Sequence, residues 1–489
     1  MTSEEDKISY PEPYKVLTEK PSIKKYLKYL MFVGPGAIVA SMTIGQGQLI
    51  IGPQIGAWAG FALLWLITLN IGSYIIAYIS CRFTLLSGIG LMDLFAIKTK
   101  KGWFNWLIIG IMLIFIPVFT ATIITSLGQA LCWVFGVGHY LIWGISFCLL
   151  AGALALAGRY KIVEYSQAFF IVVLAVGAVV SVILIKPDIL EILPNFFTIG
   201  QNVPADYPSW VIEEFPAVAK TPIPLVMLGY LGTLTITLVT LIGYLGWIKV
   251  KKWGIFKDRK DPNAFSQKCF DDFRKKGKIT YLPDGSKEVK KSRLLLKPII
   301  IDMSVAFIVV SIVSAAYMIA GKYLLGLQPD GNYLLPSNID LITQQAVIFS
   351  NIAPWLEPLF KISVVFALFG TAYAGFEAAT RMLYETGKNI NKVVKNLEYK
   401  RFMFYLLTYL LILGIPLSIL MYRGLSVLLM LSITLLFLGV IGVMLYGIGV
   451  IYLSQKFLPK EYKLGKLSLS LAIVAIVFMS IPLLFLFIR

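Results

Sequence analysis

Two short polar segments lie inside long apolar stretches of this 489-residue chain. Their members are Gly45, Gln46, Gly47 and Gln48 in the first segment and Gly232, Thr233, Thr235 and Thr237 in the second. Amide and hydroxyl side chains are neutral donors and acceptors, and freed backbone carbonyls add further acceptors. We predict that these eight residues form one substrate-binding site, in which Gln46 and Gln48 are candidate metal ligands.

Glycine is the residue that would open such a site, because each glycine weakens a helix by about 1 kcal/mol relative to alanine. Unpaired backbone at membrane depth is tolerated only where it lines protein or water. Carriers built from inverted repeats have broken helices in corresponding positions of the two halves, and the second segment lies five spans after the first. The alternative for each segment is a continuous helix with small residues for close packing and threonines bonded to their own helix.

The elements that must position these segments are membrane-spanning helices. The chain is 58% hydrophobic and only 14% charged, with a mean hydropathy of +0.80, whereas soluble domains carry roughly 25% charged residues. Apolar runs of about 20 residues, which cross a bilayer as helix, recur from residue 28 onwards. We predict an all-α integral membrane protein with eleven spans, near residues 28–56, 58–81, 103–135, 139–158, 162–186, 222–248, 298–325, 354–384, 402–422, 424–454 and 467–488.

The distribution of basic residues predicts the orientation. Lysine and arginine dominate alternate connections, whereas the connection 187–221 is acidic, so the positive-inside rule places the N-terminus in the cytoplasm and the C-terminus outside the cell membrane. The insertion 249–297 carries sixteen basic against six acidic residues and is predicted to be cytoplasmic. It is either a solvated loop or a surface for anionic lipid headgroups, and its "YLPDGSKEVKK" run suggests a small β-hairpin.

The sequence lacks the residue patterns that several classes of protein require. The single histidine, His139, cannot form a metal cluster or catalytic dyad and is predicted to lie at the membrane interface. No ATP-binding glycine-rich motif, charged ring or filter-like loop is present. We therefore expect neither an enzyme nor a cofactor, a nucleic-acid partner or a channel. The cysteines are predicted to be free thiols, namely Cys81, Cys132, Cys148 and Cys269, and the polar N-terminal segment to be a mobile tail.

Several longer motifs resemble the natural resistance-associated macrophage protein (Nramp) family of metal-ion transporters, in particular a divergent prokaryotic branch. They are "GPG" at 34–36, "GFALLWLITLNIG" from Gly60, "GRYKIVEYSQAFFIVVL" from Gly158, "IDMSVAFIVVSIVSAAYMIAG" from Ile301 and "FALFGTAYAGFEAATRML" from Phe366. The resemblance implies a LeuT-like fold of the APC superfamily, with two inverted five-helix repeats and an eleventh helix. The implied domains are a tail (1–27), a first repeat (28–186), an extracellular loop (187–221), a second repeat (222–454) and a final loop and helix (455–489).

The sequence departs from that family at the site itself. The family's Asp-Pro-Gly-Asn metal motif falls on Gly45 to Gln48, so a glycine replaces the aspartate and a glutamine replaces the asparagine. The methionine of the sixth helix is missing near Gly232. A dehydrated divalent ion with neutral ligands only would be an uncompensated buried charge, so a metal substrate is expected to keep much of its water, as Mg²⁺ does.

Four further charged residues within spans could pair with one another, since Glu357 precedes Lys361 by four positions and Glu377 precedes Arg381 by the same spacing. Glu377 is the candidate for coupling transport to a second ion, and Glu164 is read as a structural anchor. The sequence thus predicts a secondary transporter that moves a metal cation by alternating access. A carrier of a neutral or zwitterionic organic solute on the same fold, and a membrane receptor or scaffold that transports nothing, are the alternatives.

Overall fold

The structure, a computed structural model, describes residues 7–158, 160–335 and 356–487. The helices before residue 220 are α1 (Lys15–Thr18), α2 (Ile23–Lys28), α3 (Pro35–Thr43), α4 (Gly52–Ala59), α5 (Trp65–Leu69), α6 (Ile71–Ser87), α7 (Leu91–Lys98), α8 (Trp103–Phe135), α9 (Tyr140–Ala157), α10 (Tyr160–Ile185), α11 (Ile189–Ile192), α12 (Ser209–Glu214) and α13 (Pro216–Ala219).

The second half of the chain adds eleven helices and one two-stranded antiparallel hairpin within the described residues. These elements are α14 (Ile223–Leu234), α15 (Leu238–Val250), α16 (Pro262–Lys276), α17 (Ser286–Leu295), α18 (Lys297–Leu324), β1 (Gly326–Leu327), β2 (Tyr333–Leu334), α19 (Leu356–Gly387), α20 (Lys392–Asn396), α21 (Tyr399–Tyr422), α22 (Val427–Leu435), α23 (Gly442–Phe457) and α24 (Lys466–Leu484). The predicted all-α class is confirmed.

Nine helices in the described parts of the chain are long and apolar enough to cross a membrane. They cover nine of the eleven predicted spans. The other two predicted spans correspond to α3 with α4, which is interrupted, and to α10, which is 26 residues long. The protein is therefore a multi-pass membrane protein.

Both glycine-containing spans are interrupted at the predicted places. In the first, α3 ends at Thr43, Ile44 and Gly45 are not helical, and a π-helical turn (Gly47–Ile51) leads into α4. In the second, α14 ends at Leu234 and α15 begins at Leu238, with an extended backbone at Thr235. Each interruption leaves helix ends, with their unpaired carbonyls or amides, inside the molecule.

Small residues allow the broken helices to approach their neighbours closely. A Cβ atom on Gly56 of α4 would lie 2.0 Å from the carbonyl oxygen of Met318 on α18. On the second broken helix, a Cβ atom on Gly232 would lie 2.4 Å from the carbonyl oxygen of Leu435, and one on Gly439 would lie 2.5 Å from the Cα of Gly232. Helix crossings at these points depend on glycine, as is common where membrane helices pack.

The insertion is folded, and the predicted hairpin in it is wrong. Residues 286–295 form α17, which begins after Gly285 and is rich in lysine, whose unbranched side chain suits a helix better than a strand. Phe270 and Phe273 of α16 are buried against the membrane domain. Burial raises the pKa of the Cys269 thiol on the same helix to about 11. All four cysteines are free thiols, as predicted.

The described part of the N-terminal segment is docked on the rest of the protein. The prediction of a mobile tail is therefore also wrong from residue 7 onwards. The amide of Ile8 donates to the carbonyl of Tyr281 at 2.9 Å, and the buried hydroxyl of Tyr10 donates to the carbonyl of Leu86 at 2.8 Å. Lys7 pairs with Asp284 at 2.8 Å. The tail therefore ties the insertion to the C-terminal end of α6, which its polar composition alone did not suggest.

Candidate functional site

A cavity of about 70 Å³ lies where the two interrupted helices meet, several times the roughly 10–15 Å³ that one water needs. Polar atoms reach it from the ends of α3, α14 and α15 and from α8 and α19. The residues with polar or sulfur-containing side chains that line it are Met42, Thr43, Gln46, Thr120, Thr233, Thr235, Thr237, Thr240 and Thr371. Apolar side chains of α8, α19 and α22 complete the wall.

The threonine hydroxyls of this cavity present acceptors rather than donors. Five of the seven donate their proton to a backbone carbonyl at 2.7–2.9 Å, namely Thr43, Thr120, Thr233, Thr235 and Thr371. Thr237 and Thr240 share a hydrogen bond of 3.1 Å with each other. A hydroxyl whose only proton is already engaged in a hydrogen bond can offer a ligand only its oxygen lone pairs. The lining therefore suits a cation, or a group that donates hydrogen bonds.

Gln46 lines the cavity and is held by α8. Its amide nitrogen donates to the Ser126 hydroxyl at 2.6 Å, and its amide oxygen accepts from the Thr122 hydroxyl at 3.1 Å. Thr122 and Ser126 belong to a run of polar residues in the otherwise apolar α8, namely Thr120, Thr122, Thr125, Ser126 and Gln129. This run, with Thr122 and Ser126 one helical turn apart on the same face, is the signal that could have revealed them.

Gln48 connects the two breaks and is absent from the described lining of the cavity. Its amide oxygen accepts from the amide of Gly45 at 3.4 Å, and its amide nitrogen donates to the carbonyl of Thr233 at 3.4 Å. Gly47 lies against the same threonine, since a Cβ atom on Gly47 would be 2.1 Å from the Thr233 side chain. The structure thus brings the two predicted segments into direct contact, with Gln48 as the bridge between them.

The second break is stabilised by groups from two other parts of the chain and by its own threonines. Thr235 donates to the carbonyl of Gly439 as well as to that of Gly232, both at 2.9 Å. The amide of Ile236, which has left the helix, donates to the Ser73 hydroxyl of α6 at 3.2 Å. Thr237 caps the N-terminus of α15. Part of the opened backbone at the second break is therefore satisfied by hydrogen bonds to α6 and to the Thr237 side chain.

The described lining of the cavity contains no ionisable side chain, and the described residues contain no cluster of three or more histidine, cysteine or acidic residues that could hold a metal ion. The one sulfur atom in that lining belongs to Met42, to which the Thr240 hydroxyl donates at 3.9 Å. The first broken helix thus places a thioether in the lining of the cavity, whereas the second carries none there. A single methionine in an apolar helix gave no reason to single it out.

The predicted ion pairs within spans are confirmed. Glu357 and Lys361 lie 3.0 Å apart, and Arg381 Nε donates to Glu377 at 3.0 Å. The other carboxylate oxygen of Glu377 accepts from the indole of Trp247 at 3.1 Å. Glu377 therefore belongs to a packed polar cluster between α15 and α19, on a different side of α19 from the cavity.

Two other predicted residues lie away from the cavity. His139 is exposed at the N-terminal end of α9, where its Nδ1 accepts from the amide of Leu141 at 3.2 Å. The side chain of Glu164 falls outside the described residues.

Asp302, which lies within the family-like stretch that begins at Ile301, is a further functional candidate that its sequence context does not reveal. It is fully buried on α18 and accepts hydrogen bonds from the amides of Gly34 and Gly36 at 2.9 and 2.6 Å, and from the Tyr244 hydroxyl at 2.5 Å. A carboxylate at the positive N-terminal end of α3 is well placed electrostatically. Asp302 therefore connects α18 to α3 and to α15. These two helices are halves of the two broken spans, so one carboxylate links both of them.

Nine apolar helices among the described residues, two spans broken at mid-length and a polar cavity between the breaks are typical of a membrane transport protein. The family model described as "Natural resistance-associated macrophage protein-like" (Nramp) matches residues 36–489. The chain belongs to the Nramp family, as its motifs predicted. A comparison with curated proteins finds no match.

Solved structures with the same fold cover nearly the whole chain. The manganese transporter of Eremococcus coleocola, in complex with an aromatic bis-isothiourea compound, is 16% identical with a TM-score of 0.63 over 95% of this chain and 88% of that one. A mutant of the same transporter gives 0.65 over the same shares. MhsT in complex with L-phenylalanine is 17% identical with a TM-score of 0.51, over 92% and 97% of the two chains. The predicted LeuT-like fold is thereby confirmed.

Proposed function

We propose that this protein is a secondary transporter of a divalent metal cation, which it carries with much of its hydration shell by alternating access. The observation that carries the proposal is the neutral, acceptor-lined cavity between the two broken helices. Water molecules bound to a cation donate hydrogen bonds outward. The five threonine oxygens whose protons are already bonded to backbone carbonyls can accept them. A hydrated ion therefore matches the lining in both charge distribution and hydrogen bonding.

The absence of a carboxylate in the described lining argues against a dehydrated ion. Removing a divalent cation from water without a charged partner leaves an unpaired charge that costs several kcal/mol or more. Mg²⁺ gives up its water reluctantly and takes oxygen ligands, so it suits the site best. Met42 offers one softer ligand, which suits Mn²⁺ better than Mg²⁺. Membership in the Nramp family and the fold shared with a manganese transporter support a metal as the substrate class.

Coupling and orientation are parts of the same proposal. Glu377 lies six residues after Thr371 on α19, about 9 Å along the axis at a rise of 1.5 Å per residue, and we propose it as the acid whose protonation couples to transport. The two five-helix repeats are proposed with the boundaries given above. The positive-inside pattern supports placement in the cell membrane with the N-terminus in the cytoplasm.

A carrier of a small organic solute is the second candidate, favoured by the neutral lining and by the fold shared with MhsT bound to L-phenylalanine. An amino acid would need a donor for its carboxylate, and the N-terminus of α15 at Thr237 is the element that could provide one. A receptor or scaffold without transport is a weaker alternative. The folded insertion with its docked tail is the feature that favours it.

Uptake into proteoliposomes tests the proposal. Purified full-length protein is reconstituted, and the uptake of Mg²⁺, Ca²⁺, Mn²⁺ and radiolabelled L-phenylalanine is measured against protein-free liposomes. Saturable uptake of at least one divalent ion supports the metal proposal. Uptake of L-phenylalanine without any divalent ion would favour the organic-solute reading, and no uptake of either kind would contradict the metal proposal and favour the scaffold.

A further inference from the structure

A second cavity, separate from the central one, lies at the end of the molecule that carries the insertion. It has a volume of about 620 Å³, within the range of roughly 300–1,000 Å³ that is typical of ligand sites. Four basic side chains line it, from α6, α17 and the loop before α24, against the single acid Glu461. The four are Arg82, Arg293, Lys460 and Lys463.

Arg82 is built into this cavity with part of its guanidinium unused. Its Nη2 donates to the carbonyls of Tyr462 and Lys463 at 2.8 and 3.1 Å, which fixes the plane of the group. Its Nη1 is buried without a hydrogen-bond partner in the described part of the chain. A buried charged donor left unpaired is costly, so an anionic oxygen that comes close to Nη1 after a small shift of the neighbouring groups would gain a charge-assisted hydrogen bond.

The loop that carries the two lysines is also fixed in place. The Tyr462 hydroxyl donates to the carbonyl of Pro283 at 2.5 Å, and Gln455 donates to the carbonyl of Leu464 at 3.1 Å. Among the described residues, Lys460, Lys463 and Arg293 form no ion pair. Like charges held around one cavity repel one another, and a bound anion would remove that repulsion.

The surroundings of the cavity indicate where the anion comes from. Ser468 of α24 and Leu296 at the start of α18 line the cavity. One helical turn further into the membrane domain, on the same faces, Leu471 and Ile300 are each 45% exposed. An apolar strip thus runs from the basic cavity along the outside of the helices, as an acyl chain attached to an anionic headgroup would.

We infer that this cavity binds the phosphate of an anionic phospholipid in the leaflet that the positive-inside pattern assigns to the cytoplasm. The guanidinium of Arg82 and the side chains of Arg293, Lys460 and Lys463 receive the phosphate, and the acyl chains lie along α18 and α24. Because the insertion and the loop before α24 meet at this cavity, the bound lipid stabilises the inner end of the transporter. The inference does not depend on the identity of the transported substrate.

The test is lipid-dependent thermal stability of the full-length protein in detergent, with added dioctanoyl phosphatidylglycerol, dioctanoyl phosphatidylcholine or inorganic phosphate. The Arg293→Gln/Lys463→Gln double variant removes two headgroup ligands without touching the backbone contacts of Arg82. The matched control is Lys268→Gln/Lys275→Gln, which makes the same change of charge at exposed positions of α16 outside the cavity.

We expect phosphatidylglycerol to raise the Tm of the natural protein and of the control, and to do so more than phosphatidylcholine. In the double variant we expect the half-saturating concentration of phosphatidylglycerol to rise about tenfold or more, since the loss of one charge-assisted hydrogen bond weakens binding by about that factor. Equal effects of the two lipids, or an unchanged response of the double variant, would overturn the inference. A gain with inorganic phosphate equal to that with phosphatidylglycerol would show a free phosphate site in place of a lipid site.

Discussion

The centre of this transporter and its insertion-bearing end use polar groups in opposite ways. The described lining of the central cavity is neutral and rests on threonine oxygens. At the other end, partly buried charges pair directly, as where Lys388 bonds Glu385 at 2.6 Å and lies 3.6 Å from the buried Asp93. The difference indicates that ion pairs join helices at that end, whereas the proposed site offers a substrate only neutral groups, from which it could be released. The predictions below test each side of that difference, beginning with the largest effect.

The contact between the two breaks should be the most sensitive point of the neutral centre. Gly47→Ala places a methyl group 2.1 Å from the Thr233 side chain, so the broken helices must separate. We expect a lower Tm and loss of uptake in proteoliposomes. Gly375→Ala is the control, because Gly375 also lines the cavity but its Cβ would meet nothing within 4 Å. Equal loss in both variants would show that the contact has no special role.

The buried carboxylate of Asp302, which lies on α18 against the start of α3, should matter most at the charged end. Asp302→Asn removes the charge that accepts two amides and the Tyr244 hydroxyl, and we expect a loss of about 2 kcal/mol or more, measured as a lower Tm. The exposed Asp284→Asn is the control. We also expect buried Cys81 to react faster with a maleimide in the Asp302 variant as α3 loosens. An unchanged Tm would contradict the role of Asp302 as a clamp.

The acceptor lining should set the affinity for the ion. Thr371→Val keeps the shape of the side chain and removes one oxygen, so we expect a rise in KM of about tenfold or less for one lost hydrogen bond, with normal expression. Thr380→Val on the same helix removes a hydroxyl that likewise bonds a carbonyl but lies outside the described lining of the cavity. Equal KM values for the two variants would contradict a role of the Thr371 oxygen in binding the ion.

The thioether of Met42 should discriminate between ions and have a smaller effect. Met42→Leu conserves volume and removes the sulfur, so we expect Mg²⁺ uptake to stay unchanged and Mn²⁺ uptake to fall by a few-fold. Parallel uptake of the two ions measures the ratio. A loss of both ions to the same extent would mean that Met42 acts through packing alone.

The smallest effect should come from the docked tail. Lys7 lowers the pKa of Asp284, and Lys291 lowers that of Glu12. A lowered pKa means that these pairs stabilise the docked form at neutral pH. That stabilisation is lost as the pH falls through the lowered pKa. The protection factors of the amides of residues 7–17, each taken relative to the intrinsic exchange rate at the same pH, should therefore fall in acid, and also in high salt because these pairs are exposed. Protection independent of both would show that the buried Tyr10 alone holds the tail.

The sequence predicted the positions of the two helix breaks, since Gly45, Gly47 and Gly232 weaken a helix wherever they stand. It did not predict the roles of Gln46 and Gln48, because the directions of those amides depend on partners on α8 and α14. The α17 helix was missed since a Pro-Asp-Gly turn beside β-compatible residues hid the lysine-rich run after Gly285. Asp302 was visible as a lone acid in an apolar stretch, but only the fold shows which amides it accepts.

The most direct test of the hydrated-ion claim uses hexaamminecobalt(III), whose ammine ligands do not exchange and which resembles a hexahydrated cation in size and in donating hydrogen bonds outward. Divalent-ion uptake into proteoliposomes is measured with increasing concentrations of this complex on the side from which uptake occurs. We predict competitive inhibition, with a lower affinity for the complex in Thr371→Val than in Thr380→Val. Divalent uptake that the complex leaves unaffected would contradict the claim and place a dehydrated ion in the site.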